Sequence, residues 1–135
     1  DAIYGGEMSA HHYFRDFAYC DSGMIPWLMV AQLLSITHQT LKNLVEERMA
    51  TFPCSGEINF KVVDTTAIIE QIRVKYAPHA VTTEKTDGLS MDMGQWRFNL
   101  RGSNTEPLLR LNVETRADNN LLNDKVTEIS QIINH

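Results

Sequence analysis

The sequence predicts an α+β fold: a C-terminal domain with a small antiparallel four-stranded sheet and two helices on one face, preceded by the end of an α/β domain. Apolar and polar residues alternate on both sides of a polar loop at 101–107, as in a β-hairpin with one buried face. Apolar stripes at helical spacing lie at 65–76 and after 119, flanking the strand-like segments. This order is typical of a sheet that helices cover on one face, leaving the other polar.

The segment 1–54 contains the elements of a partial domain. Ile3 and Tyr4 indicate a strand ending at two glycines, and the aromatic residues of 13–17 indicate another. Residues 24–36 are apolar almost all round, which predicts a buried helix with packing partners outside this chain. A second helix is predicted over 39–50, stopped by Pro53. Because the chain also begins without an initiator Met, we expect it to be a piece of a longer protein.

The segment 55–135 contains a complete set of elements, following a linker at 54–56. Asp64 is placed to cap a helix, and Asn119 or Asn120 to cap the last one. Residues 80–83 are a candidate short strand outside the predicted four. The four strands are expected at 57–62, at 89–93 and in the two arms of the hairpin 96–115. The domain boundary is therefore predicted between residues 54 and 55.

Composition narrows the classes of partner. The 135 residues have a formal net charge of −5, which argues against a nucleic-acid surface because such a surface needs a basic patch. No apolar run approaches the ~20 residues that span a bilayer. Cys20 and Cys54 form no spaced motif and follow no signal peptide, which favours reduced thiols in the cytoplasm. We therefore expect neither nucleic acid nor a membrane as a partner.

The loop at 101–107 is rich in hydrogen-bond donors, whereas a phosphate presents only acceptors. Arg101 and Arg110 fall on the polar face of the predicted hairpin, with Arg97 and Asn99, so both guanidiniums can flank the loop. Arginine suits a phosphate because its planar fork binds two oxygens at once. Ordinary hairpin tips are also polar. From these residues alone, a phosphate site and a solvated turn both remain open.

The loop at 5–12 offers chemistry suited to a sugar. The carboxylate of Glu7 accepts hydrogen bonds from paired hydroxyls, and Ser9 and His11 can donate or accept. A solvated loop is the open alternative. Glu7, His11, His12 and Asp16 lack a familiar ligand spacing, so no metal site is predicted. No catalytic residue is predicted either, because neither Ser9 nor Ser103 has a base at a recognisable spacing.

The two loops together resemble signature loops of a known family. The two loops are Gly-Glu-Met-Ser-Ala-His at 6–11 and Arg-Gly-Ser-Asn-Thr-Glu-Pro at 101–107. They are similar to loops of the α-D-phosphohexomutases, the phosphomannomutase/phosphoglucomutase family. Their order and their separation along the chain also resemble those in that family. The resemblance covers essentially the whole chain but only the C-terminal part of such an enzyme. It implies that 1–54 end the sugar-binding third domain and that 55–135 are the fourth domain. The sugar ligands it implies are Glu7, Ser9 and His11. The expected phosphate ligands are the matching loop residues, with Arg110 added from the hairpin pattern: Arg101, Gly102, Ser103, Asn104, Thr105 and Arg110.

The resemblance also implies an activity, the reversible movement of phosphate between the 1- and 6-positions of a hexose phosphate. The family's phosphoserine loop and its Asp-rich magnesium loop do not occur in these residues. We therefore expect no cofactor in this fragment, Mg²⁺ and the missing N-terminal domains in the full-length enzyme, and no activity from the fragment alone. The sequence does not separate mannose from glucose phosphates. The alternatives are a non-catalytic module that binds a phosphosugar or a protein, and a metal-dependent hydrolase using His11 and His12.

Overall fold

The computed structural model describes residues 1–7, 9–103 and 106–134, and the chain forms two compact units, Asp1–Val45 and Glu46–His135. The first unit contains a three-stranded antiparallel sheet in chain order. Its elements are β1 (Tyr4–Gly6), β2 (His12–Phe14), β3 (Cys20–Asp21), α1 (Met24–Thr37) and the start of α2 (Leu41–Thr51). The strand predicted over 13–17 is shorter than expected, because Arg15–Phe17 form a 3-10 turn.

Most apolar side chains of α1 are exposed rather than buried. No residue of this helix is buried, and Trp27 and Ile36 are 61% and 68% exposed. The buried helix expected from the composition of 24–36 is therefore not buried within this chain. At 14 residues α1 is also short, and within the described part of the chain no helix has both the length and the apolar character needed to cross a membrane.

The second unit is built on an antiparallel sheet in the strand order β4-β8-β7-β6-β5. Its elements are β4 (Ile58–Lys61), α3 (Thr65–Tyr76), β5 (Thr82–Glu84), β6 (Leu89–Asp92), β7 (Trp96–Gly102), β8 (Leu108–Thr115) and α4 (Asn119–Asn134). The predicted α+β class is confirmed, but the prediction of four strands was wrong. The candidate segment near 80–83 supplies a fifth strand, β5, which pairs with β6 at the edge. All three β5 residues are exposed, so the segment has no alternating pattern to mark it as a strand.

The hydrophobic core lies between one face of this sheet and the two helices α3 and α4. Alternate residues of β7 and β8 are buried, as the sequence predicts, and their neighbours face the other side. Tyr76 of α3 packs edge-on against Trp96 and Phe98 of β7, with ring centroids 5.5 Å apart in both pairs. The other core side chains are Ile72, Leu89, Met91, Leu100, Leu109, Leu111, Val113, Leu122, Ile129 and Ile133. Packing on one face leaves the opposite face free to hold polar side chains.

Local hydrogen bonds fix where the two helices begin. Asp64 accepts from the backbone N–H of Ala67 at 2.9 Å, as expected of an N-cap. Asp118 plays that role for α4, accepting from the N–H of Leu121 at 2.8 Å, so the cap precedes the two asparagines that the sequence suggested. The buried hydroxyl of Thr115 donates to the Asp118 carbonyl at 2.7 Å, which ties the end of β8 to the start of α4.

A cluster of charges connects α3 with α4. Lys75 and Lys125 lie 2.8 Å and 2.7 Å from the two carboxylate oxygens of Glu128. Burial by itself raises the pKa of Glu128, but hydrogen bonds from Lys125 and Lys75 outweigh it and hold the pKa at about 2. The carboxylate is therefore ionised at neutral pH, and its pairing with Lys75 links α4 to α3.

Two valines provide a matched test of this core. Val113 is 0% exposed in the cluster, whereas Val63 is 106% exposed. We expect Val113→Ala to lower the free energy of unfolding by about 2 kcal/mol and Val63→Ala to change it by no more than ~0.5 kcal/mol. Urea unfolding of both variants measures the difference. Similar losses in the two would contradict the assignment of the core.

Candidate functional site

The predicted site residues fall into two groups, one within each compact unit. Glu7, Ser9 and His11 lie in the first unit, in the loop between β1 and β2. Arg101, Gly102, Ser103 and Arg110 lie in the second unit, around the β7–β8 hairpin, while Asn104 and Thr105 lie outside the described residues.

Backbone hydrogen bonds close the loop of the first unit on itself. The N–H of Glu7 donates to the carbonyl of His11 at 3.0 Å, and the N–H of Ala10 donates to the carbonyl of Glu7 at 3.1 Å. Ala10 has a φ of 65°, a left-handed conformation that non-glycine residues seldom adopt. The tight turn holds the three predicted sugar ligands within one short segment.

Glu7 is an oriented, ionised acceptor. Its two carboxylate oxygens accept from Tyr13 Oη at 2.8 Å and from Ser9 Oγ at 3.0 Å. The hydrogen bond from Tyr13 and then that from Ser9 lower the pKa of Glu7 below its ordinary value. Each carboxylate oxygen has further lone pairs. Glu7 can therefore accept from ligand hydroxyls while Tyr13 and Ser9 fix its position.

Asp21 fixes the orientation of the His11 ring. Nδ1 of His11 lies 2.7 Å from Oδ2 of Asp21, whose Oδ1 accepts from the N–H of His12 at 2.9 Å. A carboxylate only accepts, so Nδ1 is the ring nitrogen that donates to Asp21. The hydrogen bond to Asp21 raises the pKa of His11. Nε2 is the ring nitrogen not engaged by Asp21 and can face a ligand.

The neighbouring histidine is engaged elsewhere. Nδ1 of His12 is 2.7 Å from the hydroxyl of Tyr4, and their rings stack at a centroid distance of 6.0 Å. The side chains of His11 and His12 thus have different partners, as adjacent side chains near a strand are expected to have. No three His, Cys, Asp or Glu side chains in the described ranges are arranged to hold a metal ion.

In the second unit, the predicted arginines lie side by side on the polar face of the sheet. Arg101 of β7 is directly opposite Arg110 of β8 in the strand register. Beyond them, where the loop begins, the N–H of Ser103 donates to the carbonyl of Leu108 at 2.8 Å. Both guanidiniums therefore lie at the base of the loop for which the family resemblance predicts phosphate binding.

Carboxylates neutralise this pair of like charges. Arg101 donates from one terminal nitrogen to Asp87 at 3.0 Å and from the other to Glu57 at 3.3 Å. The same Glu57 oxygen lies 3.7 Å from a terminal nitrogen of Arg110. The side chains of Glu57, Arg101 and Arg110 are 31%, 29% and 32% exposed, so solvent still reaches the cluster.

The turn before β6 brings Asp87 to Arg101. The Asp87 carbonyl accepts from the side-chain amide of Asn99 at 2.7 Å. Gly88 follows with a φ of +71°, and an added Cβ would lie 2.5 Å from the Leu100 carbonyl oxygen and 2.6 Å from the Cβ of Arg101. Glycine is needed here both for its backbone conformation and for this close approach. The turn thus packs directly against the residue that would bind a phosphate.

A cavity of about 540 Å³ opens beside these groups. Arg101, Gly102, Ser103 and Arg110 line it together with Asp87 and Thr65. Thr65 is the first residue of α3, and its side chain lies 3.6 Å from where a Cβ of Gly102 would be. The positive end of the α3 dipole lies at this edge of the cavity, with the Asp64 carboxylate as its cap.

Sequence reasoning missed the residues that support the predicted ligands. Tyr13 and Asp21 position Glu7 and His11, and Glu57 and Asp87 pair with Arg101. Asp-Gly pairs such as Asp87-Gly88 are common in turns, but a turn signal does not identify the arginine that the turn contacts. The partners of Arg101 and His11 depend on how strands pair, which a local pattern does not record.

Two protein-family profiles together match nearly the whole chain. Residues 1–52 match the profile described as phosphoglucomutase/phosphomannomutase, alpha/beta/alpha domain III. Residues 57–131 match the profile described as phosphoglucomutase/phosphomannomutase, C-terminal domain.

Curated proteins from several bacteria are similar to it. One of Xanthomonas campestris pv. campestris (strain B100), named Phosphohexose mutases, is 60% identical over 133 residues, which cover 98% of this chain and 30% of that protein. A phosphomannomutase of Escherichia coli is 60% identical over 98% of this chain and 29% of its own length. A phosphomannomutase of Salmonella typhimurium is 56% identical over 99% of this chain and 29% of its own length. The chain thus spans about 30% of the length of the curated relatives it matches.

A solved structure shares the fold. The crystal structure of a phosphoglucomutase/phosphomannomutase family protein from Burkholderia thailandensis matches with a TM-score of 0.63 and 24% sequence identity, covering 95% of this chain and 28% of that chain.

The contact between Gly88 and Arg101 can be tested against a second glycine. Gly88 and Gly56 have φ values of +71° and +65°, but an added Cβ meets backbone atoms only at Gly88 and nothing within 4 Å at Gly56. We expect Gly56→Ala to lower the free energy of unfolding by about 1–2 kcal/mol, and Gly88→Ala to lower it by clearly more. Urea unfolding compares the two, and equal losses would argue against a close approach at Gly88.

The Asp21–His11 pair predicts a pH dependence. The pKa of His11 is raised above 6.5 because the Asp21 carboxylate favours the protonated ring, so the charged pair is complete below that value and lost as the pH rises through the raised pKa. Asp21→Asn should lower the pKa of His11, measured by NMR titration of the ring protons. Glu70→Gln removes a carboxylate that pairs with Arg73 instead and serves as the control. An unchanged His11 titration in Asp21→Asn would contradict the pairing.

Proposed function

This chain belongs to the phosphoglucomutase/phosphomannomutase family, and we propose that it forms the substrate-binding part of a phosphohexomutase. The proposed reaction moves a phosphoryl group between the 1- and 6-positions of a hexose through a bisphosphorylated sugar. The observation that supports it best is the pair Arg101 and Arg110, which lines one cavity beside a donor-rich loop in a chain of net charge −5. A local cluster of this kind suits a small anion, because the rest of the protein offers no general attraction to one.

In this proposal the hairpin of the second unit holds the phosphate that is not reacting. Arg101 and Arg110 supply charge, Gly102 allows close backbone approach, and Ser103 and the adjoining loop residues Asn104 and Thr105 donate hydrogen bonds. Phosphoryl transfer depends mainly on positioning and charge neutralisation. A phosphate held away from the reacting end serves as a handle, and its binding energy helps to orient the sugar.

The loop of the first unit is proposed to recognise the sugar. Glu7 is ionised and held by Ser9 and Tyr13, so it can accept hydrogen bonds from neighbouring hydroxyls. His11, oriented by Asp21, presents its other ring nitrogen to the same ligand. We therefore propose residues 1–54 as the end of the sugar-binding domain and 55–135 as the phosphate-binding domain.

We propose a mannose phosphate as the substrate. Relatives between 54% and 60% identical to this chain are named phosphomannomutase or phosphohexose mutases. The chemistry of Glu7 and Ser9 suits either epimer, so the relatives' names support this choice rather than the geometry.

Other parts of the longer enzyme would supply the chemical step. We propose that the Mg²⁺ that the family implies is held outside this chain, which agrees with the lack of any group of three His, Cys, Asp or Glu side chains placed to hold an ion among the described residues. We assign the ion and the phosphoserine to domains outside these residues, and expect the chain by itself to turn over neither mannose nor glucose phosphates.

The chain alone should still bind a phosphosugar weakly. A few charge-assisted hydrogen bonds of roughly 1.5–3 kcal/mol each must offset the cost of immobilising the ligand, so we expect a dissociation constant around millimolar or weaker. In an NMR titration with glucose 6-phosphate, the amides of Gly102 and Ser103 should shift together. Unphosphorylated glucose should leave them unchanged.

Arginine variants make this titration specific. Arg101→Lys keeps the charge but loses the planar fork, so it should weaken the response, and Arg101→Ala should nearly abolish it. Arg97→Ala is the matched control, because Arg97 is on the same sheet face but pairs with Glu114 outside the cavity. Binding by Arg101→Ala equal to that of the unmodified chain would reject the proposed site.

A further inference from the structure

Glu57 occupies the position between the two arginines of the cavity. It immediately precedes β4, which pairs with β8 so that Asn59 is opposite Arg110. One carboxylate oxygen of Glu57 lies 3.3 Å from Arg101 and 3.7 Å from Arg110. A single carboxylate thus pairs with both guanidiniums, although it comes from a separate segment of the chain.

The sheet register explains why a carboxylate is needed here. Arg101 and Arg110 are directly opposite each other on β7 and β8, and like charges in that position destabilise a strand pair. An anion between them removes the repulsion. Glu57 supplies that anion in the ligand-free chain, and a bound phosphate would supply it as well.

Glu57 and a phosphate would therefore compete for the same donors. A phosphate monoester has nearly two negative charges at neutral pH, so it repels a carboxylate held against the same guanidiniums. Arg110 Nε is buried and has no hydrogen-bond partner within the described residues, which leaves a donor that Glu57 does not use. The cluster is thus charge-balanced without a ligand but not fully satisfied.

We propose that Glu57 is an internal anion of the phosphate site, which occupies the Arg101–Arg110 pair in the absence of ligand and weakens phosphate binding by competing with it. The inference rests on the proposed phosphate site and assigns a new, specificity-determining role to a residue next to it. Inorganic phosphate alone must displace Glu57 with few compensating contacts, whereas a phosphosugar gains contacts elsewhere.

Such competition suits the proposed reaction. A bisphosphorylated sugar must present first one phosphate and then the other to the reacting group, so neither may be held too tightly at the hairpin. A carboxylate that returns to the arginines as the phosphate leaves would lower the cost of that exchange, because the guanidiniums are never left unpaired.

The test is Glu57→Gln, which keeps the size of the side chain and removes its charge. Titrations with inorganic phosphate and with glucose 6-phosphate, followed at the Gly102 and Ser103 amides, should show roughly two- to fivefold tighter binding than the unmodified chain. Glu114→Gln is the control, because it frees Arg97 from a 2.7 Å ion pair on the same face outside the cavity, and should leave the affinity unchanged.

A second variant and a second measurement keep the inference testable if Glu57→Gln folds poorly. Asp87→Asn removes the other carboxylate bound to Arg101 and should tighten binding in the same direction but less, because Asp87 is 72% exposed. Thermal unfolding should also show a larger phosphate-induced rise in Tm for Glu57→Gln than for the unmodified chain.

The outcomes separate the two proposals. One outcome is that the unmodified chain binds phosphate at the hairpin and Glu57→Gln binds it equally or more weakly. Glu57 then only positions the arginines, and the inference is overturned while the phosphate site stands. If no variant shifts the hairpin amides with either probe, the phosphate site itself is overturned, and the inference with it.

Discussion

The antiparallel pairing of β7 with β8 determines both the core and the candidate site of the second unit. Because side chains alternate between faces, burying Leu100 forces Arg101 onto the opposite face, and burying Leu109 and Leu111 does the same for Arg110. A shift of one residue in the pairing register of a strand would move its buried side chains to the polar face and its polar side chains into the core. The hydrophobic packing that stabilises the sheet therefore also places two guanidiniums next to each other, at the base of one loop.

Such a placement leaves an electrostatic problem that other segments solve. Two partly exposed arginines in direct opposition need counter-charges, which Glu57 and Asp87 provide from the segments before β4 and β6. The loop of the first unit shows the same arrangement with the opposite sign, since donors from Tyr13 and Ser9 hold the ionised Glu7. In both places the residue predicted to contact the substrate has a charged side chain, and neighbouring residues fix the orientation of that side chain in advance. This reduces the entropy lost on binding.

The parts predictable from the sequence were those that local patterns record. Alternation identified the buried face of the hairpin through Trp96 and Phe98, and Asp64 was visible as a cap because its partner, Ala67, is three residues away. The partnership of Glu57 with Arg101 joins residues 44 positions apart, so no local pattern shows it. β5 was left out of the predicted sheet because its three residues are all exposed and do not alternate. The sequence indicated Asn119 or Asn120 as the cap of α4, whereas Asp118 caps it; all three residue types are good caps, and the geometry of the β8 end decides between them.

The edges of the five-stranded sheet bear on how the protein behaves when it is crowded. β5 offers only three residues, two threonines and a glutamate, to any strand that approaches from outside. At the other side the edge strand is β4, which has only four residues, and the backbone of Pro53 and Ser55 bonds to Thr115 and Val113 where β4 does not extend along β8. Short, polar or covered edges give a foreign strand little to pair with. The second unit is thereby protected against edge-to-edge aggregation during synthesis and at high concentration, by the same segments that complete its sheet.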